Sequence, residues 1–274
     1  MRLLWAVGLL FLASAVAGWA QDRSALVERY YAALKMDDVF EVLRLEGLEA
    51  GEDITEDGEV QPSNSWTRRL EAIYSIEKME ATFYTGLIES GGLDGSLEAI
   101  EFFEGALGRR IIQIELDARI ALHDEDIEAD VRGWVEAMRK ADDDRLDLYD
   151  EFIAVNDLID GNVMGALNSN LAFYQGMASN PNFDTGMPQA FMLSTVWEQE
   201  PEIRESVTDW SMNFSTLAYS VLSVEEMQEY IEISASEAGQ RFNTALFGGF
   251  DYMFEQQSYE LGQATAEFMM GDET

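Results

Sequence analysis

The sequence predicts an all-α protein made of two related antiparallel helical-hairpin units packed into a helical bundle. Two observations predict this fold. First, apolar residues recur every three or four positions from Trp66 to Leu87, from Ile203 to Val221 and from Phe242 to Phe268. This spacing places them on one side of a helix, and no convincing run alternates with the period of two that a strand requires. Second, similar landmarks occur twice along the chain, which indicates a helical repeat.

Residues 1–20, MRLLWAVGLLFLASAVAGWA, predict a cleaved signal peptide. Arg2 gives the segment a positive start, Leu3 to Val16 is almost wholly apolar, and small residues precede cleavage sites after Ala17 and Ala20. An uncleaved membrane anchor is the alternative, but the apolar run is short for a membrane span. The sequence therefore predicts an exported, periplasmic protein.

The chain is strongly acidic. It contains 53 Asp and Glu residues against 17 Lys and Arg, for a net charge of −36. Binding to nucleic acid or to an anionic membrane surface requires clustered basic residues, so both classes of partner are excluded. Apolar residues make up 47% of the sequence, enough for a substantial core, and there is no Cys. Packing without disulfides must then stabilise the exported protein.

The duplication is predicted from the order of landmarks. When Tyr30 is aligned with Tyr149, Asp38 falls on Asp157, and each copy continues into a polar loop, a long amphipathic helix and a glycine-containing corner. The predicted units are residues 21–140 and 141–274, with the seam in the charged stretch Arg139–Asp147. Both Asp38 and Asp157 are expected to cap helices, because Asp is favoured at that position.

The glycine-containing corners share one pattern. Gly108 and Arg110 in the first copy correspond to Gly239 and Arg241 in the second, and each pair follows an Ile-Glu dipeptide at the same distance. A Gly inside a helix costs up to about 1 kcal/mol, so its presence at both corners indicates close packing. The pattern therefore predicts a tight helical hairpin without catalytic chemistry.

The second corner also carries capping signals. Ser223 and Glu226 form a predicted capping box that opens a short helix, and Ser236 is placed to cap the final helix. Arg241 is expected to bond carbonyl groups at the end of the preceding helix or to pair with Glu232.

The stretch around this corner, LSVEEMQEYIEISASEAGQRFNTALFGGFDYMF (Leu222–Phe254), resembles the C-terminal signature of the bacterial domain-of-unknown-function 2059 family. The residues that match that signature are Ser223, Glu225, Glu226, Ser236, Ala238, Gly239 and Gln240. The first copy matches less well, because Gly105 stands in place of the Ser and Arg109 in place of the Gln. The resemblance implies an exported helical protein of the Gram-negative type in a longer, two-copy form, and it implies no catalytic residues.

Candidate catalytic and metal-binding residues are few. On a predicted helix the single histidine, His123, shares a face with Asp126 and Asp130, so these three are weak candidates for a metal site. Asp53 to Gly58 imitates the start of a calcium loop, but the acidic third and twelfth ligands are missing. No nucleophile or cofactor motif is recognisable, so the catalytic residues stay unknown and neither cofactor nor metal is predicted.

The last helix is apolar on two sides, which fits a buried central helix, a dimer seam or a groove for a hydrophobic ligand. The predicted function is a non-enzymatic binding or interaction module of the cell envelope. Its partner would be an envelope protein, a small apolar ligand or a second copy in a homodimer. The alternative is a carboxylate-based hydrolase, with or without assistance from a metal at His123.

Overall fold

The structure, a computed structural model, describes residues 25–56, 64–183 and 188–271. This part of the chain is all-α and contains no strand, which confirms the predicted fold class. The helices are α1 (25–33), α2 (Met36–Glu56), α3 (Asn64–Ile73), α4 (Ile76–Glu89), α5 (Leu97–Glu104), α6 (Ala106–Ala121), α7 (Glu125–Ala141), α8 (Arg145–Val155), α9 (Leu158–Ala178), α10 (Gln189–Trp197), α11 (Glu200–Tyr219), α12 (Val224–Ala235) and α13 (Glu237–Met269).

Two sequence predictions fall at the edges of the described chain. The predicted signal peptide lies outside it. The polar loop that the sequence predicts around Asp53 is wrong in its first part, because Asp53 belongs to α2 and the backbone remains helical as far as Glu56. Residues 57–63, which would complete that loop, lie outside the described residues. Within the described residues, no helix is both long and apolar enough to cross a bilayer.

Helix α13 forms the centre of the bundle. It has 33 residues, and none of residues 245–266 is exposed. It packs mainly against α4 from the first half and α9 from the second half. Its two apolar sides are therefore those of a buried central helix, which was one of the three interpretations that the sequence left open.

Glycines allow the backbones around α13 to approach closely. A Cβ placed on Gly86 of α4 would lie 2.2 Å from the carbonyl oxygen of Gly248 in α13. On the other side, a Cβ on Gly176 of α9 would lie 2.0 Å from the oxygen of Tyr259. Both distances are too short for any side chain, so glycine is required at each contact. Gly161 also lies close to α13, where its added Cβ would meet the ring of Phe247 at 3.1 Å.

The main hydrophobic core is shared by the two halves. It contains residues from the first half and from the second, among them Tyr30, Phe40, Phe83, Phe103, Ile111, Tyr149, Phe152, Tyr219, Tyr230, Phe242 and Met253. Many of the aromatic rings touch across the halves, as where Tyr30 and Phe242 have ring centroids 4.8 Å apart. Burial of this shared core is the largest stabilising contribution that the structure shows.

The order of elements is similar in the two halves. Helices α2 and α9 each have 21 residues, and each follows a residue in the left-handed conformation, Lys35 (φ 51°) or Asp157 (φ 52°). If these two residues are equated, Lys35 and not Asp38 stands opposite Asp157. The helix-capping roles expected for Asp38 and Asp157 are wrong. Asp157 makes no side-chain cap hydrogen bond, and Asp38 lies inside α2.

Candidate functional site: a cavity between the two halves

The corner between α12 and α13 is built by the capping residues that the sequence predicts. The Ser223 hydroxyl accepts a hydrogen bond from the Glu226 backbone N–H at 3.2 Å, and the Glu226 carboxylate accepts one from the Ser223 N–H at 2.9 Å. The Ser236 hydroxyl accepts from the N–H of Gly239 at 3.0 Å, which satisfies one free donor at the start of α13. These bonds fix where α12 begins and where α13 turns away from it.

The glycine at each corner lies against backbone. A Cβ on Gly239 would be 2.0 Å from the oxygen of Ile233, and a Cβ on Gly108 would be 2.3 Å from the oxygen of Phe102. In both cases the carbonyl belongs to the residue six positions earlier, at the end of the preceding helix. The close packing that the sequence predicts is therefore a contact between each corner glycine and the last turn of the preceding helix.

The two corner arginines differ in their partners. Arg241 pairs with Glu237 at 2.9 Å, so the predicted partners for it, Glu232 or the carbonyls of the preceding helix, are wrong. The reason is that Glu237 lies one helical turn before Arg241 on the same face. Arg110 instead reaches the second corner, where it binds the carboxylate of Glu226 at 2.6 Å and the carbonyl of Val221 at 2.6 Å. Arg110 therefore joins the two corners.

Gln240, which follows the corner glycine, also has a structural role. Its amide nitrogen donates to the carbonyls of Val155, at 2.9 Å, and Ser234, at 2.8 Å. This links the end of α8 to the corner. In the first half Arg109 occupies the corresponding position and donates to the carbonyl of Glu104 at the end of α5. Both residues satisfy carbonyls that a helix end leaves free.

The metal candidates are not brought together. His123 lies between α6 and α7 and not on a helix with Asp126 and Asp130, and its Nε2 is 2.8 Å from Glu46 of α2. Arg119 also binds Glu46, and these contacts hold the pKa of Glu46 below its ordinary value although burial acts to raise it. In the chain described, no group of three or more His, Asp and Glu side chains could hold a metal ion.

Two concave regions of the surface lie among the described residues. The wider one, of about 500 Å³, is an open depression at the elbow between α1 and α2, lined by residues such as Val27, Tyr31 and Lys35 from that elbow alone. The other is a small cavity of about 70 Å³ between the α5–α6 corner and the α12–α13 corner, next to the ends of α1 and α8. Its lining residues are Leu34, Ala99, Phe103, Ile112, Glu115, Asn156, Tyr230, Ile233, Ser234, Gly239, Phe242, Asn243 and Leu246. Most of these residues are buried, and the cavity is partly open to solvent.

A half-buried carboxylate, Glu115 of α6, forms part of the cavity wall. Its Oε1 accepts two hydrogen bonds, from the hydroxyl of Tyr219 at 2.7 Å and from that of Tyr230 at 2.9 Å. Burial raises the pKa of Glu115 from 4.5 to about 7, and the two tyrosine hydroxyls act in the opposite direction. No described Lys, Arg or His forms an ion pair with Glu115, so the carboxylate has no counter-ion in that part of the chain.

Two asparagine side chains line the cavity together with Glu115. The amide nitrogen of Asn156 donates to the carbonyl of Phe152 at 3.0 Å, and that of Asn243 donates to the carbonyl of Asn156 at 2.9 Å. Each amide is thereby oriented with one N–H on backbone, and its oxygen remains as an acceptor beside a second N–H. The Tyr230 hydroxyl is committed to Glu115.

The sequence-based reasoning missed Glu115. A signal was present, because Glu115 follows Ile111 by four positions and precedes Ala118 by three, on the side of α6 where both neighbours are buried. A carboxylate inside an apolar helical stripe is unusual unless it has a partner. With 53 acidic residues in the chain, this one did not stand out.

No family model, no curated protein and no solved structure matches the chain. The resemblance of Leu222–Phe254 to the domain-of-unknown-function 2059 family therefore stays a prediction.

Proposed function

We propose that the chain is an exported, non-enzymatic binding protein of the cell envelope and that its ligand site is the cavity between the two halves. The observation that carries the proposal is Glu115, a half-buried carboxylate in the cavity wall that has no counter-ion among the described residues. Burying a carboxylate without a counter-ion destabilises a fold, so its presence indicates a function other than packing.

The position of the cavity also supports a duplicated architecture. Four pairs of lining residues lie at equal distances from the corner glycines, Gly108 in the first half and Gly239 in the second: Ala99 and Tyr230, Phe103 and Ser234, Ile112 and Asn243, Glu115 and Leu246. In each pair one side chain is wholly apolar and the other carries a polar group, which in Tyr230 is the hydroxyl. We read the two halves as copies of one helical unit that border the cavity at their junction.

The carboxylate-based hydrolase is the second candidate, and the near-neutral pKa of Glu115 favours it. A glycosidase requires two carboxyl groups about 5–9 Å apart on either side of the substrate, and Glu115 is the one acidic residue in the described lining. The cavity of about 70 Å³ is also far smaller than the few hundred Å³ of an ordinary substrate pocket. The metal-assisted form of this candidate is not supported, because His123 contacts Glu46 and does not line the cavity.

The experiment measures binding and turnover on the same purified mature chain. Its melting temperature is recorded in sodium salts with a panel of small polar molecules, and chromogenic glycosides, esters and peptides are tested in parallel. We expect at least one small molecule to raise the melting temperature and no substrate to be turned over. Turnover that disappears in Glu115→Gln would establish the hydrolase instead, and a panel without any stabilising molecule would overturn the proposal.

A further inference from the structure

The cavity also indicates the chemical class of its ligand, an inference that rests on the proposed function. We infer that the cavity binds an ammonium-type cation, either the ammonium ion or a small primary amine, with Glu115 as its counter-ion. Charge, hydrogen-bonding capacity, aromatic surroundings and volume each support this assignment.

The negative charge of Glu115 favours a cation as the ligand. The Glu115 carboxylate has Oε1 occupied by Tyr219 and Tyr230, and its Oε2 accepts no hydrogen bond from the described residues. A negative group in a partly buried site favours a positive ligand and repels an anion. The net charge of −36 strengthens this preference, because the field of the whole protein concentrates cations near its surface.

The acceptor oxygens in the cavity lining favour a ligand with N–H donors. The oxygens of Glu115, Asn156 and Asn243 are the acceptors left in the lining once the amide nitrogens have bonded backbone carbonyls. An ammonium group carries only N–H donors, so it complements these oxygens, whereas a carboxylate or phosphate ligand would place its own acceptors against the Glu115 carboxylate.

Aromatic rings complete the surroundings. Phe103 and Phe242 are stacked with ring centroids 4.9 Å apart, and Phe103 meets Tyr230 edge to face at 6.0 Å. All three residues line the cavity. The face of an aromatic ring attracts an ammonium group. A hard metal ion would instead need about six oxygen ligands, which this partly apolar lining does not supply.

Volume sets the size of the ligand. The cavity of about 70 Å³ corresponds to roughly two water molecules at about 30 Å³ each. Ammonium with one water, or methylammonium alone, fills that space. Tetramethylammonium is too large, and it has no N–H group to donate.

The test compares chloride salts of ammonium, methylammonium, potassium, sodium and tetramethylammonium at equal ionic strength. The melting temperature of the mature chain is measured at pH 8, where Glu115 is ionised. The titratable groups that face Glu115 are Tyr219 of α11 and Tyr230 of α12, and both remain protonated because burial raises their pKa well above the ordinary value. We expect ammonium and methylammonium to raise the melting temperature by about 2–4 °C over sodium at concentrations well above the dissociation constant.

Two variants control the experiment. Glu115→Gln keeps the size of the side chain and removes its charge, so the difference between ammonium and sodium should vanish. Asp117→Asn removes one charge from an exposed position on the same helix, and the difference should persist. The difference should also vanish in the wild type at pH 5, because the carboxyl group is then protonated.

Each other outcome overturns the inference. Equal effects of potassium and ammonium would show that N–H donors are not recognised. If ammonium and sodium give equal melting temperatures while another small molecule binds, the ligand class is wrong and the proposed function stands. If nothing binds, both are wrong.

Discussion

The most informative single substitution is Glu115→Gln, because it changes how stability depends on pH. Burial raises the pKa of Glu115 from 4.5 to about 7, so the folded state binds this proton more tightly than the unfolded chain does. The wild type has the full contribution of the bound proton below about pH 4.5 and loses it as the pH rises to about 7. The Gln side chain stays neutral, so the variant does not lose that stability.

The size of the effect follows from the pKa. One pKa unit corresponds to about 1.4 kcal/mol, so the rise from 4.5 to about 7 corresponds to about 3 kcal/mol at full burial. Glu115 keeps some contact with solvent, and we therefore expect about 2 kcal/mol. Above pH 7 the variant should be more stable than the wild type by that amount, and at pH 4.5 the two should be nearly equal.

The assay is urea unfolding followed by circular dichroism, at pH 4.5 and pH 8 in sodium buffers. Asp117→Asn serves as the matched control, since its carboxylate is exposed on the same helix. Asp251 titrates in the same range but is present in all three proteins, so its contribution cancels in the comparison. Parallel pH curves for the wild type and Glu115→Gln would refute the assignment of a buried, proton-binding carboxylate.

Three further predictions concern the frame around the site. Gly239→Leu should lower the melting temperature strongly, because its Cβ would lie 2.0 Å from the oxygen of Ile233; an unchanged melting temperature would refute the corner geometry. Gly176→Ala should destabilise for the same reason, whereas Gly133→Ala, with no atom within 4 Å of the added Cβ, should stabilise α7 by up to about 1 kcal/mol in the same urea assay. Asp251→Asn should reduce the loss of stability between pH 3.8 and about 6, because burial and then Glu255 raise the pKa of Asp251 to about 6; an unchanged pH curve would contradict this.

Local signals in the sequence were sufficient for the helices and the second corner. The capping box at Ser223 and the cap at Ser236 depend on residues three positions apart, so their hydrogen bonds could be inferred from spacing. The close-packing role of Gly239 could be inferred as well, since a glycine early in a helix needs a reason.

Contacts between distant parts of the chain could not be inferred in this way. The spacing predicts His123 on a helix with nearby acids, but the chain turns at that point and brings it to Glu46. Arg110 bridges to Glu226, more than a hundred positions away, through a corner whose orientation no local pattern specifies. Glu115 is recognisable as a candidate site residue only from its hydrogen bonds with Tyr219 and Tyr230, which come from two other helices. In each case the decisive partner is set by tertiary packing.

The most direct test of the central claim is nuclear magnetic resonance of the mature chain with ¹⁵N-labelled ammonium. An ammonium ion held in the cavity should show proton cross-relaxation to the ring protons of Phe103 and Tyr230, and this signal should be absent in Glu115→Gln. A wild-type sample that shows only free ammonium, at concentrations far above those that change its melting temperature, would contradict the claim that the two halves enclose a cation site.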